Sequence, residues 1–134
     1  MMSAVKVMAP AQPRIWIIED SERPWTANAE RSWHYHKRAT KVREAREAWG
    51  WLARAQRIPT LGGIRVDATP LIRNHQALPD VAACYPTVKA AIDGFVDAGI
   101  IPDDDPFHVP TITFHAPSLA RREGLRIQIT EVLP

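Results

Sequence analysis

The sequence contains few of the features that mark secreted, membrane or repeat proteins. Its single cysteine, Cys84, excludes an internal disulfide framework and suits a reducing compartment. The first residues, MMSAVKVMAPAQP, combine a lysine and two prolines with a short apolar patch, which is too short and too interrupted for a signal peptide or a membrane-spanning helix. The sequence also has no repeat or low-complexity segment. We therefore expect a cytoplasmic protein with no membrane association.

What the sequence does contain is typical of one globular domain. At 134 residues the chain is long enough to bury one core and too short for two ordinary domains. Its hydrophobic content of 46% and charged content of 24% are ordinary for such a domain. We predict a flexible N-terminal arm over residues 1–13 and a single domain over residues 14–134.

Hydrophobic periodicity predicts strands alternating with two main helices. The predicted strands lie in RIWIIED, GIRVDATPLIR, HVPTITFHA and GLRIQITEVL, with a turn around PSLARREG between the last two. The predicted helices are a long one over Ala29–Gln56 and a shorter one over Pro86–Ala98. The order β-α-β-α-β-β predicts an α/β fold of the α+β type, with a single mixed sheet and two helices packed on it.

A few residues give local signals within these elements. Thr26 and Asn28 are candidate caps for the long helix, and Gly99 lies where a left-handed C-cap would end the shorter one. Gly94 inside the shorter helix predicts a helix cost of about 1 kcal/mol. Pro70 suggests that its strand lies at a sheet edge or is bulged near its end.

The charged residues are divided between two segments. Residues 31–57 contain only two acidic residues and eight basic ones, namely Arg31, Lys37, Arg38, Lys41, Arg43, Arg46, Arg54 and Arg57. Residues 80–105 reverse this balance, with six aspartates around one lysine, Lys89. A nuclease needs both halves, because cations hold phosphates and carboxylates hold the metal that helps to cleave one. The alternative is that each segment is only the solvated face of a helix.

The acidic segment reads PDVAACYPTVKAAIDGFVDAGIIPDDD. Lys89, Asp93 and Asp97 are four residues apart, so we expect them on the helix face opposite its apolar stripe. The three adjacent aspartates at its end carry hard oxygen ligands of the type that magnesium prefers. Asp80 precedes the helix and the pair Asp103–Asp104 follows it. These carboxylates converge only if the flanking chain runs back along about 20 Å of helix.

This segment resembles the hallmark of the RusA-like Holliday junction resolvases, small homodimeric endonucleases common in phages and prophages. The hallmark is D-x-D-N, a lysine on the following helix with an aspartate four residues later, then glycine, a short apolar stretch and D-D. Lys89, Asp93, Gly99 and the pair Asp103–Asp104 fit this spacing without gaps. Asp80 falls at the first aspartate of D-x-D-N.

The segment before the long helix extends the resemblance. PWTANAERSWHYH is similar to the family's N-terminal P-x-x-N segment, with Asn28 as its asparagine. The resemblance then runs from Pro24 to Val132, nearly the whole predicted domain.

One departure from the family pattern concerns its metal site. Ala82 and Ala83 stand where the family has the second aspartate and the asparagine of D-x-D-N. Either Asp93 or Asp105 substitutes for the missing carboxylate, or the site holds one metal more weakly, or the protein keeps the fold and DNA binding without cleavage. We favour a retained but altered metal site.

The resemblance implies metal-assisted hydrolysis of a DNA phosphodiester bond. Magnesium, or manganese in its place, is implied at Asp80, Asp104 and Asp103, with Asp93 as a further ligand. The implied catalytic residues are these first three aspartates and Lys89, which would stabilise negative charge on the phosphoryl oxygens or the leaving group. The implied substrate is branched DNA such as a four-way junction. A homodimer would place two such sites on opposing strands.

The long basic helix and the segment before it are implied to hold the DNA backbone without reading its sequence. The implied DNA-binding residues are Asn28, Arg31, Lys37, Arg38, Lys41, Arg43 and Arg46. The rival hypothesis, favoured by Ala82 and Ala83, is a catalytically silent DNA-binding or partner-binding protein on the same fold. A third is an interaction protein without a nucleic acid role, which would show no salt-sensitive DNA binding.

The histidine, cysteine and tryptophan residues give weaker signals. His34 and His36 are two apart, which predicts different sides of a helix and poor joint metal ligation. His108 could approach the acidic turn as a zinc ligand or general base. Cys84 is predicted to be a packed apolar residue. Four tryptophans are predicted to lie in the core or a dimer interface rather than to stack on bases, namely Trp25, Trp33, Trp49 and Trp51.

Overall fold

The computed structural model describes residues 12–74 and 78–134, which form five strands and three helices. Their bounds are β1 Ile15–Asp20, α1 Ala27–Arg31, α2 Tyr35–Ala55, β2 Ile64–Ile72, α3 Tyr85–Asp97, β3 Thr111–Phe114, β4 Ser118–Leu119 and β5 Gly124–Glu131. Residues 1–11 of the predicted arm lie outside the described part of the chain. None of the three helices is long and apolar enough to cross a membrane.

The five strands join one mixed sheet, which confirms the predicted fold class. The strand order is β1-β5-β2-β3, and β4 pairs with β2 beyond the end of β3. β5 is antiparallel to both of its neighbours, whereas β3 and β4 run parallel to β2. Ile127 of β5 marks the register, since it lies opposite Ile18 of β1 and Ala68 of β2.

Alternation along the strands gives the sheet one buried face. Ile64 and Val66 are fully buried while Arg65 between them is exposed, as the period-two pattern predicts. Helices α2 and α3 cover this face, and the Trp49 and Phe95 rings meet edge to face with centroids 6.3 Å apart. Both helices therefore lie on the same side of the sheet, and each keeps a surface that faces solvent.

The two long helices approach each other closely at two glycines. A Cβ atom added at Gly94 would overlap the carbonyl oxygen of Arg46, and one added at Gly50 would lie 2.9 Å from the carbonyl oxygen of Gly94. Gly94 is therefore a point of helix–helix contact in addition to being a poor helix former. Gly99 follows the C-cap of α3 with a φ of 77°, which confirms its predicted role in ending that helix.

The prediction of one continuous helix over Ala29–Gln56 is wrong. Residues 32–34 are not helical, and they separate α1 from α2. The hydroxyl of Ser32 donates to the carbonyl oxygen of Ala29 at 2.7 Å, a local bond that competes with helix continuation. His34 then takes an extended conformation as the N-cap of α2, and its Nδ1 accepts from the His36 N–H at 3.3 Å. Thr26 is a helix cap as predicted, but of the short helix α1, and Asn28 lies within α1 and is not a cap.

The prediction that Pro70 marks an edge strand or a bulge also needs correction. Strand β2 is central, between β5 and the β3–β4 side. The carbonyl oxygens of Ala68 and Ile72 accept bonds from that side, so Pro70 between them faces the same way. Pairing with β3 ends at Ala68 and pairing with β4 begins at Leu71, so the proline lies in the gap between two partners. Its missing N–H therefore interrupts no ladder bond on this side.

A third correction concerns the segment PSLARREG. The sequence predicts a turn there, whereas its first part forms the two-residue strand β4. Ser118 and Leu119 pair with the last residues of β2. Such a short parallel strand has too little periodicity to be recognised from the sequence.

The outer edge of β1 is partly covered by the end of α2. The side chain of Gln56 donates to the carbonyl oxygen of Ile17 at 2.8 Å. That carbonyl points away from β5, because the Arg14 carbonyl bonds to Glu131 of β5 and backbone groups alternate along a strand.

Candidate functional site

Lys89 lies between two carboxylates on the solvent side of α3. Its Nζ donates to Asp93 Oδ1 at 2.6 Å and also to Asp104 Oδ2. Asp93 is one helical turn further along, so this is the predicted pair at a spacing of four residues. Asp104 comes from the loop after α3. It reaches Lys89 because that loop runs back along the helix, which is one of the two returns that the predicted site requires.

Two buried isoleucines fix the return of this loop. Ile100 and Ile101 are 2% and 1% exposed, and the Ile100 N–H donates to the carbonyl oxygen of Phe95 at 2.9 Å. Beyond them, Asp103 Oδ1 accepts from the Asp104 N–H at 2.8 Å. Burial of the apolar pair thus brings Asp104 to Lys89, with Asp103 exposed next to Asp104 in the chain.

Burial and the two carboxylates act in opposite directions on the charge of Lys89. Partial burial disfavours the ammonium, but the bonds to Asp104 and Asp93 outweigh it and raise the pKa of Lys89 above its ordinary value. The bond from Lys89 also lowers the pKa of Asp104. Lys89 is therefore a fixed cation at neutral pH, suited to stabilising negative charge and not to accepting a proton as a general base.

Asp80 lies in an open groove between α1 and the turn that precedes α3. Asn28 and Arg31 line the same groove from α1, while Asp103 and Asp104, both among the described residues, do not line it. The groove is held together by the bond from the Ala27 N–H to the Ala83 carbonyl oxygen, at 2.9 Å. Three predicted site residues, Asn28, Arg31 and Asp80, are thus brought together.

The predicted metal ligands have different neighbours. Within residues 12–74 and 78–134, no three His, Cys, Asp or Glu side chains are grouped as they would be around one metal ion. Asp80 lies in the groove, Asp93 and Asp104 contact Lys89, and Asp103 is next to Asp104 in the chain. The adjacent pair Asp103–Asp104 fits magnesium in its chemistry, since that ion usually takes one or two protein carboxylates and completes its shell with water and phosphate oxygens.

The predicted DNA-binding residues near the start of α2 lie at the surface. Lys37 and Arg38 are exposed, and Lys37 Nζ lies 5.0 Å from the centroid of the Trp33 ring. Arg43, further along the helix, is also exposed. Lys41 Nζ is 3.7 Å from a carboxylate oxygen of Glu22, a loose pair at the surface. The basic side chains of this half of α2 could therefore reach an anionic ligand.

Arg46 differs from these residues because it joins α2 to α3. Its Nε and Nη2 donate to both carboxylate oxygens of Asp97, at 2.9 and 2.8 Å. These bonds raise the pKa of Arg46 and lower that of Asp97. Arg54 adds a bond to the Asp97 carbonyl oxygen at 3.2 Å. The pairing explains why an aspartate is tolerated at a helix C-terminus, where the macrodipole disfavours it.

Aromatic side chains before and at the start of α2 form a group that the sequence reasoning did not single out as a whole. Ring centroids are 4.4 Å apart for His34 and Tyr35, 4.0 Å for Tyr35 and His36, and 5.0 Å for His34 and His36. The prediction that the two histidines point to different sides is wrong, because His34 is the extended N-cap and not a helical residue. The sequence feature that could have indicated this aromatic group is a tyrosine between two histidines at the start of a basic helix.

Comparison with known proteins assigns no family. No family model matches this chain, and no curated protein matches it either.

Other residues noted in the sequence have local contacts. His108 Nδ1 lies 2.8 Å from Asp105 Oδ1, so His108 does contact the acidic turn. Asp105 also accepts hydrogen bonds from the N–H groups of Phe107 and His108, so its carboxylate is held within its own turn.

Cys84 is 2% exposed, which confirms a packed residue, and burial raises the pKa of its thiol. Trp49 is in the core as predicted, whereas Trp51 is 67% exposed.

Proposed function

We propose that the protein is a magnesium-dependent endonuclease of the RusA-like type, which hydrolyses phosphodiester bonds in branched DNA such as four-way junctions in the cytoplasm. The observation that carries the proposal is the position of Lys89. It lies on α3, the helix that packs beside the basic helix α2, and it bonds to Asp93 of α3 and to Asp104 of the following loop. The charges of those two aspartates contribute to the raised pKa of Arg46 in α2. Cationic and acidic elements therefore lie within electrostatic reach of each other, as a nuclease requires.

The proposal gives each residue a role that is compatible with its contacts. Lys89, a permanent cation, would neutralise charge that develops on the phosphoryl oxygens or the leaving group. Asp103 and Asp104 would hold magnesium, with Asp80 and Asp93 as further carboxylates of the site. When bound, the ion would polarise the phosphate and make an attacking water more acidic.

Binding of the DNA backbone would be shared by two surfaces. Lys37, Arg38 and Arg43 of α2 are exposed and would neutralise phosphates without reading sequence. Asn28 and Arg31 would position a strand along the groove that contains Asp80. The proposal includes a homodimer, in which two sites would cut opposing strands of a junction.

A second candidate function is DNA binding without cleavage. Two observations favour it: Ala82 and Ala83 provide no metal ligand, and Asp80 lies in a groove that Asp103 and Asp104 do not line. A protein of this kind would bind a four-way junction in a salt-sensitive way and leave its strands intact.

Cleavage of a synthetic four-way junction separates these functions. We expect the purified chain to nick it in magnesium and not in excess chelator, with paired nicks in opposing strands. Asp104→Asn and Lys89→Ala should each lower the cleavage rate by about 100-fold or more, since loss of one electrostatic group at a reacting phosphate has effects of this size.

Asp97→Asn is the matched control for this experiment. It makes the same chemical change in a carboxylate of α3 that is bonded to Arg46, so it should leave the cleavage rate unchanged. Junction binding without any cleavage in magnesium or manganese would overturn the nuclease proposal in favour of the second candidate.

A further inference from the structure

The residues that lead into α2 and its first turn present an aromatic surface, which we name the aromatic knuckle and define as Trp33, His34, Tyr35 and His36, with Trp33 half-buried and the other three exposed. Tyr35 is 60% exposed, and both histidines are also at the surface. Large aromatic side chains are rarely left in water without a role when several of them are neighbours, because burying one stabilises a protein by about 2 kcal/mol. The aromatic knuckle is thus a candidate binding surface.

The aromatic knuckle is held in place by local contacts. The His34 ring accepts the backbone N–H of His36 at 3.3 Å, and the three rings of residues 34–36 contact one another. Trp33 packs on Trp25 with ring centroids 6.0 Å apart. Trp25 is itself fixed by a bond from its Nε1 to Glu30 Oε2 at 2.9 Å. The rings therefore form a preorganised surface, which lowers the entropy lost when a ligand binds.

The charge around the aromatic knuckle identifies the kind of ligand. Residues 31–43 contain five basic residues and no acidic one, and Glu44 is the first acidic residue that follows. Lys37 Nζ lies over the Trp33 ring, within 5.0 Å of its centroid. Exposed rings interleaved with cations fit a polyanion that also offers flat apolar faces. Nucleic acid with unstacked bases has both properties.

We propose that the aromatic knuckle stacks on an unpaired nucleobase while Lys37 and Arg38 neutralise the adjacent phosphates. Bases inside a duplex are already stacked on each other, so they offer no face to these rings. The aromatic knuckle would therefore favour single strands, and any bases left unpaired where DNA strands branch, over continuous duplex. This inference rests on the proposed function for its ligand class and adds the part of the DNA that is recognised.

The test compares the affinity of the full chain for a single-stranded oligonucleotide and for a duplex of the same sequence, by fluorescence anisotropy at fixed salt. Tyr35→Ala should weaken single-strand binding about tenfold, the size expected for loss of one aromatic–base stack, and leave duplex binding unchanged. Tyr35→Trp should restore the single-strand affinity, since it keeps a flat ring.

Trp51→Ala is the matched control on the same helix. Trp51 is 67% exposed but lies one turn after Glu47, away from the aromatic knuckle, so its loss should not change either affinity. Thermal unfolding of every variant should match that of the parent chain, because Tyr35 and Trp51 are both at the surface. Unfolding would weaken duplex binding as well, so it cannot account for a loss confined to single strands.

The possible results separate this inference from the proposed function. Equal losses for single strand and duplex, or no loss in Tyr35→Ala, would overturn the inference even if the chain cleaves junctions. Tyr35-dependent binding to vesicles of anionic lipid in place of single strands would overturn it as well. Tyr35-dependent single-strand binding without magnesium-dependent cleavage would support the inference and overturn the nuclease proposal.

Discussion

The two ends of α2 use the same residue types in different ways. At its start, residues 35–39 are all exposed, and they carry the aromatic and basic side chains described above. Towards its end, Trp49, Gly50 and Ala53 are buried against the rest of the domain, and Arg46 is bonded to Asp97. The same helix is therefore a free surface at one end and a packed element at the other.

The difference lies in what faces each arginine or lysine. Arg46 has a carboxylate of α3 opposite it at 2.8 Å, whereas Lys37 faces an aromatic ring and solvent. Both belong to the one basic segment that the sequence predicts to bind DNA. Charge along a sequence thus indicates a basic helix, but the neighbouring element decides which cations are available to a ligand.

The largest expected effect is at the packed end, in the variant Gly94→Ala. Helix propensity alone predicts that alanine would stabilise α3 by about 1 kcal/mol. We expect the opposite sign, a loss of about 2 kcal/mol in the free energy of unfolding, because the new Cβ overlaps the backbone of Arg46 and forces the helices apart. Denaturant unfolding measures the change.

Gly62→Ala is the control for that variant. A Cβ at Gly62 meets no atom within 4 Å, so we expect a change in unfolding free energy within about 0.5 kcal/mol. If Gly94→Ala were as stable as Gly62→Ala, the close approach of α2 and α3 would be refuted.

An intermediate effect is expected at the exposed end, in the double variant Lys37→Gln, Arg38→Gln. Each lost phosphate contact on duplex DNA should reduce the salt dependence of binding by about 0.9 in the slope of log affinity against log salt concentration. We expect a slope smaller by about 2 and unchanged thermal stability. Arg46→Gln should change the slope less than either single variant, because its side chain is bonded to Asp97. Equal slopes for all three single variants would remove the distinction between the two ends of α2.

The smallest expected effect concerns the Arg46–Asp97 pair and its dependence on pH. Arg46 lowers the pKa of Asp97 in the folded state, so the unfolded state binds a proton first as the pH falls. The pair therefore stabilises the protein above the ordinary aspartate pKa of about 3.9, and this contribution is lost as the pH falls through the folded value. About half of the Asp97 side chain is exposed, so we expect less than about 1 kcal/mol.

The comparison of the parent chain with Asp97→Asn over a range of pH measures this contribution. The difference in unfolding free energy should be present at neutral pH and should shrink at acidic pH. A difference that is the same at both pH values would contradict an ionic origin.

Much of the fold could be predicted because its signals are local. The period-two patterns of β2 and β5 and the capping glycine Gly99 depend on neighbouring residues only. The break before α2 was missed, since a serine side chain that bonds the preceding turn leaves no mark in hydrophobic periodicity. The central position of β2 was not predicted, because a proline usually indicates an edge strand. Pro70 is tolerated in a central strand since it lies between the residues that pair with β3 and those that pair with β4.

The candidate site could be predicted only where its contacts are local in the sequence. The contact between Lys89 and Asp93 follows from helix geometry and could be predicted. The contact between Lys89 and Asp104 depends on the burial of Ile100 and Ile101, which the sequence alone does not specify. The location of Asp80 depends on the docking of α1, which no spacing in the sequence specifies. That Asp80 and Asp104 hold the same metal ion stays a prediction.

The bond from Gln56 to the carbonyl of Ile17 has a consequence for how the protein behaves at high concentration. An uncovered edge strand can pair with the edge of another molecule, and β1 has two isoleucines, Ile15 and Ile17, that are at least half exposed. A side-chain amide from α2 occupies the central acceptor of that edge and leaves an incoming strand without its partner there. We therefore expect Gln56, the C-cap of α2, to disfavour pairing of the β1 edge with the edge strand of another molecule.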